Sequence, residues 1–494
     1  MSTNSYGQIF KSTFLFAFVQ VYRAVISIIK NKLAAILIGS EGIGMLGIFN
    51  TTMQMIQAGA GLGISQSAVR DTSEANGSGD PSRFSKIINI TNQIILYTGL
   101  FGCFVTLILS YFLSFWTFGD NAHIVAYIVL SFAVALNIIN ESKQAILKGM
   151  RQLKSLAFAN IIGSSAGLCV SAPLYYFFGK EGIVPELLIG ALIAVIVANH
   201  FIDKIEYMKQ TLPLKDVLKE SKPMIQMGTA LMAVTFLQTI VAFVINAYIR
   251  NKGGLHDVGY YTAGIAILTS YFGVVVNALM TDYYPRIAAV NTDNNAIQEE
   301  LNKQSVVSLI ICCPLFVLFM SLLPMFITLL YSDEFRPTVE FVRWSIYWSL
   351  ITICSNQVDM IMVAKYQVRT FFSISVISRI IQLLSCIFLY NLHGLEGLGF
   401  AYLLMGVWHM SIYSIVVYKK YKIRFSNQFI KIALIVLMFA VSSSILQTFE
   451  GTMLYYIASS LLFFTSCAFS FIVMKKVTGV YFVSFVKNRL GKKR

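Results

Sequence analysis

Four polar side chains recur at helical spacing within the first long apolar stretch of the chain, residues 12–38. Gln20, Arg23, Ser27 and Lys30 follow one another at intervals of three or four residues, which places them on one face of a helix. An ionised side chain inside a bilayer costs at least about 2.5–3.5 kcal/mol, so it usually faces a protein-lined or hydrated cavity. This cationic face predicts a binding site for an anion.

Polar residues in other apolar stretches are further candidates. Lys30 and Lys32 lie toward the end of the first stretch, so their ammonium groups can also be explained by reaching toward the membrane surface. We predict that Arg379 and Gln382, one helical turn apart, contribute to the anion site. Asp359 and Glu141 are carboxylates that could couple transport to an ion gradient by exchanging a proton or a sodium ion, while Asp359, near the cytoplasmic end of its span, also fits a structural or topological role. A structural hydrogen bond between helices is the alternative for any one of these residues.

The elements that must position these residues are membrane-spanning helices. The chain has 494 residues, of which 56% are hydrophobic and only 12% are charged, whereas a soluble domain has about 25% charged residues. Long apolar segments form helices in a bilayer, because lipid offers no partner to a free backbone group. We predict an all-α polytopic membrane protein with about fourteen transmembrane helices. The predicted spans are residues 12–38, 43–64, 87–115, 124–139, 157–178, 183–202, 225–249, 258–279, 306–331, 339–363, 371–390, 398–418, 429–446 and 454–474.

Positive charges concentrate on alternate connections between these spans. With fourteen spans both termini face one side, and the connections on that side carry most of the 38 Lys and Arg residues. The connections on the other side carry only Lys180, Arg250, Lys252 and Arg336. Cytoplasmic loops are enriched in Lys and Arg, so we predict that both termini are cytoplasmic. The net charge of +15 therefore indicates topology and contact with anionic lipid, not a nucleic-acid partner.

The most charged internal segment, residues 203–222, follows the sixth span. We predict that it is a cytoplasmic linker between two six-helix lobes. The predicted divisions are an N-lobe at 1–202, a C-lobe at 223–420, two accessory helices at 421–474 and a basic cytoplasmic tail at 475–494.

A weak internal repeat agrees with two matching halves. Glu41-Gly42-Ile43-Gly44 opens the second span, and Asp257-Val258-Gly259 opens the eighth. Many transporters consist of two such halves with the binding site at their interface. Chance is the alternative, since an acidic residue followed by glycine is common where a helix begins.

Sequence signatures of catalysis or metal binding do not occur in the chain. It contains no P-loop, HExxH or GxSxG motif, and its five histidines are scattered. The seven cysteines lie in apolar spans without metal-ligand spacing, so we expect thiols rather than disulfides or a metal site. We therefore expect a transporter and not an enzyme, with no cofactor other than a coupling ion, H⁺ or Na⁺.

Residues 10–75 combine Arg23, the triplet Lys30-Asn31-Lys32, the segment Gly39-Ser40-Glu41-Gly42-Ile43-Gly44 and a glycine-rich end to the second span. A second segment runs from Val258-Gly259-Tyr260-Tyr261 to Tyr284-Pro285-Arg286, and Ile146-Leu147-Lys148-Gly149 follows the fourth span. These features resemble the Wzx-type polysaccharide flippases, such as those for O-antigen and lipid III, within the multidrug/oligosaccharidyl-lipid/polysaccharide (MOP) exporter superfamily. The resemblance covers about residues 11–420. Many of these flippases have twelve helices, while some polysaccharide exporters and the lipid II flippases have fourteen.

The resemblance implies the MOP flippase fold and a substrate. That substrate is an undecaprenyl-pyrophosphate-linked oligosaccharide (an O-antigen, enterobacterial common antigen or exopolysaccharide repeat unit), moved from the inner to the outer leaflet of the bacterial inner membrane by alternating access. The expected partners are this substrate, membrane lipids and other membrane proteins of polysaccharide assembly. Arg23 and Lys30 are expected to bind the pyrophosphate. The rest of the predicted cavity consists of Lys32, Gln20, Ser27, Arg379 and Gln382.

Two other functions stay open at this point. A MOP exporter of small molecules would have the same fold, but a lipophilic cation would favour acidic residues in the cavity, and the embedded charges are mostly basic. A membrane polysaccharide polymerase or ligase would use the same lipid-linked donor. Such enzymes usually need a long external loop, whereas the external connections predicted here are short.

Overall fold

The computed structural model describes residues 3–478, with side chains from Val19 to Lys476 apart from a few helical positions between 214 and 285. Within these residues the chain forms α-helices and short 3₁₀ and π turns, with no strand. The part of the predicted basic tail beyond residue 478 lies outside the described residues. The helices are α1 (Thr3–Ala60), α2 (Ile64–Gly77), α3 (Pro81–Phe118), α4 (Ile124–Gly149), α5 (Leu153–Phe178), α6 (Ile183–Ile202), α7 (Leu214–Ile267), α8 (Gly273–Ala289), α9 (Asn294–Ser321), α10 (Leu323–Leu330), α11 (Thr338–Ala364), α12 (Val368–Tyr421), α13 (Asn427–Leu446) and α14 (Met453–Thr478).

Three long helices contain a sharp break that divides each of them into two limbs. Gly39 in α1 and Gly254 in α7 have φ values of 69° and 83°, a region that glycine enters without a clash because it lacks a Cβ. In α12 the break lies at His393 and Gly394. With limbs counted separately, with α8 joined to the second limb of α7, and with α10 joined to α9, the helices other than α2 coincide with the fourteen predicted spans. The predicted all-α membrane fold is confirmed.

Nine of the described helical stretches are long and apolar enough to cross a membrane. This number is lower than fourteen for three reasons. Each of the three broken helices enters as one stretch, as in Val19–Ala60 and Val368–Tyr421, α5 and α6 enter together as Leu153–Ile202, and α11 is not among the nine. The surface of α3 is typical of contact with lipid. Phe104 and Ile108 lie one turn apart on it and are 60% and 58% exposed.

The helices form two compact units. The first comprises residues 1–263 and 330–334, and the second comprises 264–329 and 335–494. In the second unit both α13 and α14 pack against α9. The predicted lobe boundaries and the accessory role of residues 421–474 stay predictions.

The bends of α1 and α7 pack against each other within the first unit. A Cβ atom added to Gly44 would lie 2.2 Å from the carbonyl oxygen of Leu255, and one added to Gly259 would lie 2.0 Å from that of Ser40. Ser40 precedes Gly44 by four residues, as Leu255 precedes Gly259. The two segments of the weak repeat therefore contact each other reciprocally, and their backbones approach more closely than any side chain would allow.

A polar cluster links the same two bends. His256 Nε2 lies 3.0 Å from Oε1 of Glu41, and Lys180 also pairs with Glu41. The backbone N–H of Ser40 donates to Oε1 of Glu334 at 3.1 Å, and the Ser40 hydroxyl donates to the same oxygen at 2.5 Å. Glu334 thus satisfies a backbone donor that the break in α1 leaves without a helical partner.

Candidate functional site

Arg23, Ser27 and Lys30 line a cavity of about 370 Å³ inside the first unit, here called the cationic cavity. The three residues belong to the first limb of α1, and their spacing puts them on one face of it. The second limb of α1 together with α4, α5 and α6 supplies the other walls. The volume falls in the range of about 300–1,000 Å³ that is typical of small-molecule sites.

Small residues on α5 and α6 create this space. Gly163, Ser164 and Gly167 of α5 and Gly190 of α6 all line the cavity. A Cβ atom at Gly163 or Gly167 would meet no atom within 4 Å. The cavity therefore arises where the side chains are too small to fill the space between neighbouring helices.

Lys30 is held in an ion pair at the wall of the cavity. Its Nζ donates to Oε1 of Glu186 at 2.6 Å, and the hydroxyl of Tyr175 donates to the other carboxylate oxygen at 3.2 Å. The side chain of Glu186 is only 3% exposed, whereas that of Lys30 is 32% exposed. A phosphate group that approaches the ammonium of Lys30 must therefore compete with Glu186.

Arg23 is exposed to the cavity, and its guanidinium forms no hydrogen bond or ion pair with any residue that the structure describes. Its five N–H donors are therefore available to a ligand. Asn50 and Asn137 line the same cavity and add neutral donors and acceptors. The site combines one unpaired cation, one paired cation and neutral polar groups, a set that can bind an anion.

Two predicted site residues of α1 lie elsewhere. Gln20 is exposed and precedes the cavity-lining part of the first limb, and Lys32 is half-buried. Neither side chain belongs to the described lining of the cationic cavity. Their predicted role in substrate binding stays a prediction.

The remaining predicted residues of the anion site lie in the second unit. Arg379 Nη1 donates to Oε1 of Gln382 at 2.7 Å, one turn further along α12, and Gln382 is buried.

Asp359 of α11, the first carboxylate considered for ion coupling, also lies in the second unit. Its Oδ2 atom is 3.8 Å from Nε2 of His409. Its other oxygen, Oδ1, is buried and has no hydrogen-bond partner within the described residues. A buried acceptor without a partner is a candidate site for a proton or a small cation.

Glu141 lies in the first unit at a second cavity of about 310 Å³. We call it the neutral cavity, because amides and hydroxyls make up the rest of its polar lining. Gln54, Gln57 and Gln66 line it together with Glu141. The predicted site residues thus divide into a group in the first unit and a group in the second.

Glu186 was not predicted as a functional residue. It lies in the first turn of α6, where an acidic residue is ordinary because it interacts favourably with the helix dipole. The feature of the sequence that could have identified Glu186 is its position as an acidic residue within the predicted apolar span 183–202. Its partner Lys30 could not be named from the chain, because the pair depends on how α1 and α6 each pack against α5.

A sequence-family model described as polysaccharide biosynthesis protein matches residues 37–340. The chain belongs to this family. No curated protein shows significant sequence similarity to the chain. The matched segment includes the second limb of α1, the walls that α4, α5 and α6 contribute to the cationic cavity, and the bend of α7.

Solved structures show which fold this family member has. The chain is similar to a multidrug resistance transporter of the MATE family in an inward-facing conformation, with a TM-score of 0.65 and 15% identity over 81% of this chain and 98% of that one. It is also similar to the lipid II flippase MurJ in an inward closed conformation, with a TM-score of 0.66 and 14% identity over 94% and 99% of the two chains. The predicted MOP flippase fold is confirmed.

Proposed function

We propose that this protein is a flippase for an undecaprenyl-pyrophosphate-linked oligosaccharide. It moves the lipid-linked sugar from the inner to the outer leaflet of the bacterial inner membrane by alternating access, with both termini in the cytoplasm. The observation that carries the proposal is Arg23, an arginine without a partner among the described residues, exposed to a cavity within a membrane-spanning unit.

The charge of the cationic cavity suits a pyrophosphate. The Lys30–Glu186 pair is close to neutral as a unit, so Arg23 supplies the excess positive charge. A guanidinium forms two parallel hydrogen bonds with a phosphate group, each stronger than a bond between neutral groups. Asn50 and Asn137 line the same cavity, and their amide groups can donate to the remaining phosphate oxygens.

An ion gradient supplies the free energy in this proposal. The chain has no P-loop for ATP. Asp359 is supported as a coupling residue by its buried oxygen without a hydrogen-bond partner in the described part of the chain. Glu141 is the second candidate, because its carboxylate is exposed to the neutral cavity. Either carboxylate can bind H⁺ or Na⁺.

Export of a small cationic molecule is the second candidate function. Glu186 favours it, because a buried carboxylate at a cavity wall attracts positive charge. Its charge is already balanced by Lys30, however, and the remaining charge of the cavity is that of Arg23. The anionic lipid is therefore the better-supported substrate.

The test replaces Arg23 in cells that depend on the protein for surface polysaccharide. Arg23→Ala should reduce surface polysaccharide at least about 10-fold at matched membrane levels, because charge-assisted hydrogen bonds contribute about 1.5–3 kcal/mol. The lipid-linked oligosaccharide should accumulate on the inner leaflet. Arg83→Ala is the matched control, since Arg83 pairs with Glu74 at an exposed position outside the cavity. Normal polysaccharide in the Arg23→Ala cells would refute the proposed function.

A further inference from the structure

The neutral cavity is next to the cationic cavity on the same two helices. Asn50 of α1 lines the cationic cavity, and Gln54, one turn further, lines the neutral one. On α4, Asn137 and Glu141 are related in the same way. A step of four residues advances about 6 Å along a helix, so the two cavities are close enough to receive adjacent groups of one ligand.

Four polar side chains around the neutral cavity have no hydrogen-bond or ion-pair partner within the described residues. Gln54, Gln66 and Glu141 are exposed, and Gln57 is half-buried. Within the described residues none of these four side chains forms a hydrogen bond or an ion pair. Thr235 adds a hydroxyl from α7. A cavity lined by accessible amides, a hydroxyl and a carboxylate can therefore bind a polar ligand without breaking existing contacts.

This combination of groups selects the class of ligand. A glutamine amide both donates and accepts, and a carboxylate can accept from two neighbouring hydroxyls, so the lining complements the hydroxyls of a sugar. A phosphate would be repelled by Glu141, and no Lys or Arg is among the described lining residues. An organic cation would be expected to meet an aromatic ring, and the described lining contains none.

We propose that the neutral cavity is a carbohydrate subsite, in which Gln54, Gln57 and Glu141 bind the sugar attached to the pyrophosphate that Arg23 binds. This inference rests on the proposed flippase function and names the part of the substrate that the second cavity recognises. The first sugar of such a lipid is bonded directly to a phosphate, so the two groups require neighbouring subsites. The adjacent turns of α1 and α4 provide them.

The test measures binding to the full-length protein in lipid nanodiscs with two probes. One is undecaprenyl pyrophosphate, which has no sugar. The other is the pool of undecaprenyl-pyrophosphate-linked oligosaccharides extracted from native cells depleted of the protein. The double variant Gln54→Leu/Gln57→Leu removes two amides at similar side-chain size. Gln210→Leu is the matched control, because Gln210 is exposed in the connection between α6 and α7.

We expect the wild type to bind the glycosylated pool about 10-fold more tightly than undecaprenyl pyrophosphate, a difference of about 1.4 kcal/mol that a few hydrogen bonds to the sugar would give. The double variant should lose this difference and keep its affinity for the probe without sugar. Gln210→Leu should bind both probes like the wild type. Arg23→Ala should weaken the binding of both probes.

Two patterns of failure are distinguishable. Equal affinity of the wild type for both probes, or a double variant that loses affinity for both equally, would overturn the sugar subsite while leaving the flippase proposal intact. Failure of both probes to bind the wild type, or no effect of Arg23→Ala on either, would overturn the proposed function and the subsite with it.

A second pair of variants keeps the test decisive if the double variant does not fold. Glu141→Gln retains hydrogen-bonding capacity, so it should retain most of the preference for the glycosylated pool. Glu141→Leu removes that capacity and should lower the preference for the glycosylated pool several-fold, which is the loss expected for one hydrogen bond. Equal preference in these two variants and the wild type would exclude Glu141 from the subsite.

Discussion

Lys30 and Glu186 are separated by 156 residues in the chain, and their side chains meet at 2.6 Å. The contact joins the first limb of α1 to the first turn of α6 beside the cationic cavity. Glu186 is buried, whereas Lys30 is partly exposed. Removing one side chain of the pair should therefore have a different effect on stability from removing the other.

Removing Lys30 alone should destabilise the protein. Lys30→Met leaves the carboxylate of Glu186 buried without its cation, which we expect to cost about 3 kcal/mol, the lower end of the range for broken buried pairs, because the side chain of Lys30 is 32% exposed. The double variant Lys30→Met/Glu186→Leu should recover most of this loss. Thermal unfolding of the detergent-solubilised protein measures both effects. A double variant no more stable than Lys30→Met would contradict the buried-pair interpretation, and Arg23→Ala should stay within about 0.5 kcal/mol of the wild type.

Filling the cationic cavity should stop transport without unfolding the protein. A Cβ at Gly167 meets no atom within 4 Å, so Gly167→Leu places its side chain in the space that the substrate requires. We expect surface polysaccharide to be lost in cells while the Tm of the purified variant is maintained. Gly77→Leu is the control, since a Cβ there also meets no atom within 4 Å and Gly77 lies at the end of α2. Wild-type polysaccharide with Gly167→Leu would argue against transport through this cavity.

The contact between the bends of α1 and α7 should tolerate no side chain. Gly44→Ala would place a methyl group 2.2 Å from the carbonyl oxygen of Leu255, and such overpacking costs about 1–3 kcal/mol. Gly163→Ala is the comparison, because its Cβ meets open space and alanine favours a helix over glycine by about 1 kcal/mol. We expect a lower Tm for Gly44→Ala and an unchanged or higher one for Gly163→Ala. The same Tm for both variants would show that the backbones can separate at little cost.

Asp359→Asn should uncouple transport from an ion gradient. Asparagine cannot release a proton or provide a formal negative charge for Na⁺, while its size is nearly that of aspartate. In proteoliposomes we expect flipping by the wild type to rise when a pH or Na⁺ gradient is imposed, and flipping by Asp359→Asn to stay at the rate without a gradient. Glu299→Gln is the control, because Glu299 is 67% exposed and pairs with Lys303 on α9. A gradient response retained by Asp359→Asn would remove this residue from the coupling mechanism.

The sequence was sufficient to predict the helices, because transfer into lipid depends on the length and apolarity of each segment alone. It did not predict that Gly39 and Gly254 join successive helices as sharp bends rather than loops, since a positive φ at glycine is permitted but not required. The amphipathic helix α2 was also missed. Its buried residues include Ile64, Ala68 and Thr72 at four-residue intervals, and two of these are too small or polar to give a clear apolar periodicity.

The candidate site was predictable where its residues share one helix. Arg23, Ser27 and Lys30 line one cavity as their spacing indicates. The contribution of Glu186 depends instead on packing between helices that are distant in sequence. The space itself depends on glycines such as Gly163 and Gly167. A glycine in the sequence does not show whether its missing side chain leaves a cavity, because that depends on which helices face it.

The carboxylate of Glu186 also bears on how fast a carrier can turn over. A transporter that binds its substrate with every available cation binds it tightly on both sides of the membrane, and substrate release then becomes the slow step. If the protein works as proposed, Glu186 would weaken the hold of Lys30 on the substrate and would pair with its ammonium again once the substrate leaves. The empty protein would then change conformation with Lys30 neutralised, so that the return step would not require an exposed charge to lose its hydration.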